Sequence, residues 1–234
     1  LIVGLPDEDA HSCRRSLDQA FLLFAEHLQL GILKLLPGTP LREQADRYGY
    51  LWDSEPPYEI LAHRALGFED LMRFKHYAEL LERLWNSGLL VNLMRRLIPV
   101  HFEGQVSLFF DELLSGEARC LAVERQQPDT VFTHIVAVLK DHLMRDEVLG
   151  QLLFWDYAHF SLITRKTPTV VAEQLRCREQ LFRQYGNRRM PVLQLSREAA
   201  EIINTRRVEP LEPGDYAVWP RRDRKKRPAD VIAV

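Results

Sequence analysis

A single lysine interrupts the most apolar segment of the sequence. Residues 28–36 are almost continuously apolar, which is typical of a parallel strand buried on both faces, and Lys34 lies near the carboxyl end of that segment. A buried ammonium group requires a carboxylate partner or an anionic ligand, because burial removes its hydration. Lys34 is therefore a candidate for binding an anion. The alternative is a lysine at the end of the strand whose ammonium group reaches solvent.

Four further residues have types and spacings that metal ligands use. Asp156 and His159 are three residues apart and would share one face of a helix, and His134 and His142 on the preceding predicted helix could face them. No second pair repeats this spacing, and a histidine in a helical core is more often satisfied by a neighbour than by a metal. The sequence therefore favours packing here, and we assign no metal ligand.

The cysteines and glycines do not support two common kinds of catalytic site. Cys13, Cys120 and Cys177 are odd in number and far apart, which is typical of a reducing compartment, so a cytoplasmic location is expected. No two of them have the spacing of a metal-binding loop. The sequence also has no Gly-x-Ser-x-Gly elbow and no glycine-rich phosphate loop, so serine hydrolysis and phosphate-loop nucleotide binding are not supported.

The charge of the chain is nearly balanced, apart from one basic run. The 31 lysines and arginines and 33 aspartates and glutamates give a net charge of −2, so no overall field attracts nucleic acid or an anionic membrane. Residues 221–227 contain six basic residues that could follow an RNA backbone, but aromatic residues are not interleaved with them. A solvated loop is therefore favoured over nucleic-acid binding. No apolar run reaches the roughly 18 residues that span a bilayer, so no membrane contact is expected.

The first 48 residues predict strand, helix, strand and helix in that order. Residues 1–3 form a short β-branched run that ends at a Gly-Leu-Pro turn, and the following helix has Ser12 or Ser16 as a candidate cap. Residues 28–36 give the second strand, and Thr39 with the proline after it predicts the start of the next helix. Alternating strands and helices are typical of a parallel α/β fold.

The rest of the sequence is mainly helical. A strongly amphipathic helix is expected at 68–87, with Gly88 as its C-cap and a short strand before it at 58–66. Further helices are expected at 102–114, 130–144, 147–162 and 170–185, and late strands at 190–195 and 216–219. The predicted fold class is therefore α/β, followed by mainly α.

Two motifs carry a resemblance to a known family. The sequences LIVGLPDED at residues 1–9 and LQLGILKLLPGTPL at residues 28–41, separated by one helix, resemble the fifth and sixth strands of a radical S-adenosylmethionine (radical SAM) barrel. The helix-rich continuation after Trp52 resembles the C-terminal extension of the group that carries a B12-binding (cobalamin-binding) domain. That extension is identified as domain of unknown function 4080.

The resemblance implies that earlier barrel strands lie upstream. Residues 1–50 would be the C-terminal end of the (β/α) barrel, residues 51–95 a connecting strand and helix, and residues 96–234 a mainly helical accessory domain with a C-terminal hairpin. The family holds a [4Fe-4S] cluster on a Cys-x-x-x-Cys-x-x-Cys loop that this sequence lacks. The chain, which starts at Leu1, is therefore expected to be a fragment that is inactive alone and whose partner is the upstream part of the same polypeptide.

The resemblance also implies cofactors and the residues near them. The full-length parent would use S-adenosylmethionine and an iron-sulfur cluster, with cobalamin as a further cofactor, on an unknown substrate. The predicted cofactor-binding residues are Ile2, Gly4, Lys34, Leu35 and Leu36, of which all but the lysine would line the adenine. The acidic residue that the family has after the Gly-Leu-Pro turn corresponds to Asp7 or Glu8.

The expected function follows from that resemblance. The accessory domain would close the barrel mouth and shield radical chemistry from water, and methylation of an unactivated carbon is the reaction typical of the group. Two alternatives stay open: an RNA-modifying radical enzyme that uses the basic segment, and a non-catalytic helical module that docks a partner protein.

Overall fold

The computed structural model describes residues 1–160, 196–203, 216–218 and 231–233. The chain divides into two compact units, one formed by residues 1–87 and 102–124 and the other by residues 88–101 and those from 125 onward. Helices make up most of the described chain, which confirms the prediction of a mainly helical protein with few short strands. None of the described helices is both long enough and apolar enough to cross a bilayer.

The elements follow the predicted order from strand–helix–strand to helices. The strands are β1 (Ile2–Val3), β2 (Gly31–Ile32), β3 (Leu51–Trp52), β4 (Ile60–Ala62), β5 (Tyr216–Val218) and β6 (Val231–Ala233). The α-helices are α1 (Ala10–Phe21), α2 (Pro40–Glu43), α3 (Ala45–Tyr48), α4 (Phe68–Leu80), α5 (Val91–His101), α6 (Val106–Ser115), α7 (Cys120–Val123), α8 (Pro128–Val138), α9 (Lys140–Arg145), α10 (Glu147–Phe160) and α11 (Arg197–Ile203). A π-helix (Leu81–Asn86) extends α4, and a 3-10 helix (Glu117–Arg119) precedes α7.

The first two strands lie side by side and run in the same direction. Ile2 pairs with Gly31 and Val3 pairs with Ile32 in a parallel register. The ladder continues beyond β2, because the N–H of Leu33 donates to the carbonyl of Val3 at 2.9 Å. Since α1 lies between the two strands in the chain, residues 2–32 form the β–α–β unit that the sequence predicts.

The other side of this segment pairs with an antiparallel neighbour. The N–H of Leu35 donates to the carbonyl of Tyr58 at 2.9 Å, and the N–H of Ile60 donates to the carbonyl of Leu33 at 3.1 Å. Lys34 lies opposite Glu59 in this ladder. Strand β4 then pairs with β3, again antiparallel. A closed barrel of parallel strands would place a parallel neighbour at this position.

The second apolar segment is not buried on both faces, so that prediction is wrong. Leu33 and Leu35 are buried, Ile32 is half-buried, and Lys34 and Leu36 are exposed. This alternation arises because successive side chains of a strand point to opposite faces and only one of those faces is covered.

Two helix starts test the predicted caps. Asp9 is the N-cap of α1: its carboxylate accepts from the N–H of Ser12 at 2.7 Å, and the Ser12 hydroxyl accepts from the N–H of Asp9 at 3.0 Å. Ser12 is therefore the third helical residue of a capping box, and Ser16 lies inside the helix, so neither is the cap. The prediction for α2 is confirmed, since Thr39 caps it by accepting from the N–H of Arg42 at 3.4 Å.

The amphipathic helix predicted at 68–87 is present, but its last turns are a π-helix. This widened turn brings two side chains onto the segment that leads into β2. The indole N–H of Trp85 donates to the carbonyl of Ala25 at 2.9 Å. The amide of Asn86 binds both backbone groups of Leu28, accepting from its N–H at 3.0 Å and donating to its carbonyl at 3.1 Å. The π-helix therefore holds in place the segment that leads into β2.

The second unit is built around α10, which packs against α5, α8, α9 and α11. Its largest fully buried side chains include Phe132 on α8 and Tyr157 on α10, whose rings meet edge to face at 5.0 Å. The helix predicted at 130–144 is divided at Leu139 into α8 and α9, and the helix predicted at 147–162 is α10. These helices supply most of the apolar core of this unit.

Other predicted elements have mixed outcomes. The helix predicted at 102–114 begins only at Val106, because Glu103 and Gly104 adopt positive φ angles of 52° and 79°. The helix predicted at 170–185 and the strand predicted at 190–195 lie outside the described residues. The late strand at 216–219 is confirmed by β5, which pairs with β6 in the antiparallel register of a hairpin.

The replacement Asn86→Ala should destabilise the protein by about 1 to 3 kcal/mol. It removes both hydrogen bonds to Leu28 and leaves those backbone groups without this partner. Urea denaturation followed by circular dichroism measures the free energy of unfolding. Gln19→Ala, which removes an exposed amide from α1, is the matched control and should change stability by less than about 0.5 kcal/mol. Equal stability of the two variants would show that the contact with Leu28 contributes nothing.

Candidate functional site

The carboxyl ends of β1 and β2 meet at one edge of the first unit because the two strands are parallel. Strand β1 ends at Gly4, which starts the Gly-Leu-Pro turn. The β2 segment ends at Leu36, which starts the Pro-Gly-Thr-Pro turn. Ligands of parallel α/β folds bind at such edges. We call the region formed by Gly4–Glu8 and residues 34–38 the strand edge.

The structure places the five predicted cofactor-binding residues on these two neighbouring strands, in three different environments. Ile2 and Leu36 are 56% and 49% exposed, so they offer apolar surface to a ligand. Lys34 is also exposed, which removes the premise of a buried ammonium group and agrees with the alternative of a lysine that reaches solvent. Gly4 and Leu35 are buried, so other residues of the chain surround them.

Gly4 is required by internal packing. Its φ angle is 96°, a backbone conformation that residues other than glycine rarely adopt. A Cβ built there would lie 2.2 Å from Cδ1 of Ile60. The carbonyl of Gly4 accepts a hydrogen bond from the Tyr50 hydroxyl at 2.8 Å. The glycine thus lets β4 and Tyr50 approach the first turn closely.

The acidic turn after Gly4 is held by Glu8 rather than Asp7. The Glu8 carboxylate accepts from the N–H of Leu5 at 3.1 Å and lies 3.6 Å from the Cys13 sulfur. Asp7 is exposed and has a φ angle of 64°. Glu8 is therefore the residue that closes the turn, and Asp7 is the one that faces solvent.

Sequence reasoning missed Tyr50 and His63, which pack together behind the strand edge with ring centroids 5.2 Å apart. Nδ1 of His63 accepts from the N–H of Ala65 at 3.3 Å, so Nε2 carries the proton of the neutral ring. That Nε2 atom is buried and has no hydrogen-bond partner in the described part of the chain. Tyr50 lies between predicted elements and His63 lies in the short strand predicted at 58–66, and neither belongs to a motif that would have brought them together.

The titratable groups behind the strand edge are held in their neutral forms. Burial raises the pKa of the Cys13 thiol to about 11, and the Glu8 carboxylate adds to that effect. Burial likewise raises the pKa of Tyr50 to about 12. Burial lowers the pKa of His63, although Glu8 and Asp7 oppose this. At neutral pH this cluster offers neither a thiolate nor an imidazolium, so it supports the turn rather than performing acid–base chemistry.

The strand edge suits S-adenosylmethionine and does not suit an iron-sulfur cluster. The exposed apolar side chain of Leu36, with the Lys34 ammonium group two residues earlier, suits a nucleoside that carries a carboxylate. An iron-sulfur cluster finds no matching ligands, because the three cysteines are far apart in sequence and Cys13 is a buried, protonated thiol. Within the described residues, no three His, Cys, Asp or Glu side chains are grouped to hold a metal ion.

Asp156 has a structural role that explains its position. Its carboxylate, which is 2% exposed, accepts from the Asn92 side chain at 2.7 Å and from the N–H of Leu93 at 2.9 Å. These residues begin α5, so Asp156 caps that helix from α10. His142 contacts His101 rather than Asp156: the two Nδ1 atoms lie 3.3 Å apart. The side chain of His159 lies outside the described residues.

The basic run at residues 221–227 also lies outside the described residues. The predictions that concern RNA therefore stay predictions.

Comparison with known proteins identifies a family. Residues 46–227 match the family described as Protein of unknown function (DUF4080). No curated protein matches the chain. The matched range begins within α3, so it covers most of the chain but not β1 or β2.

The replacement Gly4→Ala should destabilise the first unit by about 2 to 4 kcal/mol, because it combines backbone strain with overlap against Ile60. Gly31→Ala is a matched control on β2, where an added Cβ meets nothing within 4 Å. Thermal unfolding of both variants measures the difference. A Gly4→Ala protein as stable as Gly31→Ala would contradict the packing argument.

Asp156 should make stability depend on pH. Burial raises its pKa from 3.8 to about 7, even though hydrogen bonds from Leu93 and Asn92 oppose the rise. Between these values the folded state binds more protons than the unfolded state, so this contribution to stability is present at low pH and is lost as pH rises toward 7. Denaturant titrations of the wild type and Asp156→Asn at pH 4 to 7 measure it.

We expect the stability of the wild type to fall relative to Asp156→Asn as pH increases through this window. Asp46→Asn, which changes an exposed aspartate on α3, should leave the pH slope unaltered. Parallel pH profiles for the wild type and Asp156→Asn would show that the carboxyl group stays ionised when buried.

Proposed function

The chain belongs to the DUF4080 family, and on that premise we propose that it is the C-terminal part of a cytoplasmic radical SAM enzyme of the cobalamin-binding group. In this proposal residues of the strand edge bind the adenosyl part of S-adenosylmethionine. The mainly helical continuation is an accessory domain that covers the reacting centre. The substrate is one whose activation requires a radical.

One observation carries the proposal: the parallel register of β1 and β2. Two segments that resemble neighbouring barrel strands in sequence also pair as parallel neighbours, with one helix between them. Their two glycine- and proline-containing turns therefore fall at the same edge, where ligands of parallel α/β folds bind. An antiparallel or distant arrangement of these segments would have been incompatible with this function.

The family match adds a second line of support. It covers residues 46–227 and leaves the two strand motifs in front of it. The helix-rich segment is thus recognised without the two strand motifs, although its residues 46–87 and 102–124 share one compact unit with them. A family that is recognised without these strands is what we expect of an extension that follows a catalytic fold.

Four of the five predicted residues lie at the strand edge, and each has a role that its environment supports. Leu36 provides exposed apolar surface against which an adenine ring packs. Ile2 lies opposite Gly31 near the amino end of β1, outside this surface. Lys34 offers an exposed ammonium group for a carboxylate. Gly4 and Leu35 hold the edge from behind, because Tyr50 donates to the carbonyl of Gly4 and Arg42 donates to the carbonyl of Leu35 at 3.1 Å.

S-adenosylmethionine together with an iron-sulfur cluster supplies radical chemistry when both are bound. The residues of this chain do not fit the cluster, so the cluster ligands belong to other parts of the polypeptide in this proposal. The contribution of this chain is limited to binding, orienting and excluding water. Water exclusion matters because solvent quenches reactive intermediates.

The test uses the natural polypeptide that contains these residues, purified without oxygen. We expect it to contain iron and sulfide in equal amounts and to form 5'-deoxyadenosine from S-adenosylmethionine when a reductant is added. Leu36→Asp should lower this activity at least tenfold, because it places a carboxylate on the surface proposed for adenine. Loss of about 1.4 kcal/mol of binding energy is sufficient for that change.

Leu51→Asp is the matched control, since Leu51 is also an exposed leucine and lies on β3. Its activity should equal that of the wild type. A protein without iron, or one that leaves S-adenosylmethionine uncleaved, would refute the proposal. Equal losses in Leu36→Asp and Leu51→Asp would refute the role of the strand edge.

A further inference from the structure

Five charged or titratable side chains converge in the second unit, away from the strand edge. Arg96 and His101 project from α5, His142 from α9 and Glu198 from α11, and Asp146 lies between α9 and α10. They form one connected network through Asp146, whose carboxylate contacts both residues of α5. None of these residues takes part in the function proposed above.

Asp146 contacts one of the two ring nitrogens of His101. Its Oδ2 atom lies 2.8 Å from Nε2 of His101 and accepts from Nε of Arg96 at 2.6 Å. Because the carboxylate holds Nε2, Nδ1 is the ring nitrogen left for a further ligand.

Nδ1 of His101 lies next to the second imidazole. Nδ1 of His101 and Nδ1 of His142 are 3.3 Å apart, and the two rings are inclined at 75°. This separation is longer than the roughly 2.9 to 3.0 Å at which N–H donors usually bond their acceptors. It equals the separation of about 3.3 Å between two nitrogens that are each about 2.05 Å from a tetrahedral zinc ion.

The surroundings of the pair favour a cation. Among the described residues of the network, the charged groups besides the imidazoles are one guanidinium, that of Arg96, and two carboxylates, those of Asp146 and Glu198, which together carry one net negative charge. His101 is the last residue of α5, and the carboxyl end of a helix attracts positive charge. The side chain of His101 is 17% exposed, so water can reach the site and complete the coordination of a metal ion.

We propose that His101 and His142 form a binding site for a divalent transition-metal ion such as zinc or cobalt. The imidazoles supply two ligands, water supplies the others, and Asp146 orients His101. A carboxylate that accepts from the second nitrogen of a ligating histidine is a common feature of zinc sites, because it fixes the ring and increases its basicity. This inference is independent of radical chemistry and concerns only residues of the second unit.

The sequence had offered His142 as a possible ligand with other partners, but it favoured packing and no metal ligand was assigned. Spacing along the helices suggested Asp156 and His159, and the structure instead brings in His101 from α5. Spacing within neighbouring helices could not reveal this pair, because the two residues are 41 positions apart.

Cobalt provides the most direct test. We expect the full chain to bind one Co²⁺ ion with the visible absorption bands of a low-symmetry site, and Zn²⁺ to displace it. His142→Ala should abolish these bands, and circular dichroism will show that the variant remains folded. Asp146→Asn should weaken Co²⁺ binding by about 10- to 100-fold, as expected for removal of a carboxylate that orients a ligating histidine.

His27→Ala is the matched control, since it removes an exposed histidine from the other unit and should leave the bands unchanged. Absence of visible bands in the wild type at saturating Co²⁺ would overturn the proposal and identify the two histidines as a hydrogen-bonded pair. Bands that persist in His142→Ala, or that disappear equally in His27→Ala, would overturn it as well. Failure to cleave S-adenosylmethionine would leave this proposal untouched.

Discussion

The backbone of residues 33–35 must be hydrogen-bonded on both sides, and the first unit is arranged to meet that requirement. Leu33 and Leu35 are fully or almost fully buried, so unpaired N–H or carbonyl groups there would cost about 1 to 3 kcal/mol each. Val3 satisfies one side, and residues 58–60 satisfy the other. Arg42 reaches the carbonyl of Leu35 from α2. The turn at Gly4, the antiparallel strand and α2 therefore all take their positions from one short segment.

Buried aspartates serve the helices in the same way. Asp18, Asp146 and Asp156, the buried aspartates of the described residues, each accept a backbone N–H near the start of a helix: Ser107 of α6, Leu149 of α10 and Leu93 of α5. Helix starts leave N–H groups without partners inside the helix, and a carboxylate also interacts favourably with the helix dipole. Asp156, whose spacing from His159 resembles that of metal ligands in the sequence, is one of these helix caps.

The sequence predicted the elements better than their pairing. Helical periodicity located α4 and α10, and local cap chemistry located the start of α2, because these features depend on residues within a few positions of one another. The π-helix at Leu81–Asn86 was missed, since it depends on contacts with Ala25 and Leu28 some 60 residues earlier. The antiparallel neighbour of β2 was missed for the same reason. The predicted burial of Lys34 failed because apolar composition does not tell which face of a strand is covered.

A buried carboxylate that only caps a helix differs physically from one that also orients another group. Both oxygens of Asp18 bind Ser107. The two oxygens of Asp156 bind Asn92 and Leu93. All of these contacts are with residues of the helix that the aspartate caps. Burial raises the pKa of both. One oxygen of Asp146 accepts from the N–H of Leu149, and the other contacts Arg96 and His101, whose hydrogen bonds lower the pKa of Asp146. Capping alone does not require that second set of contacts. A carboxylate that contacts the second nitrogen of an imidazole is what a ligating histidine needs. The contacts of its oxygens therefore favour a functional role for Asp146 over one for Asp156.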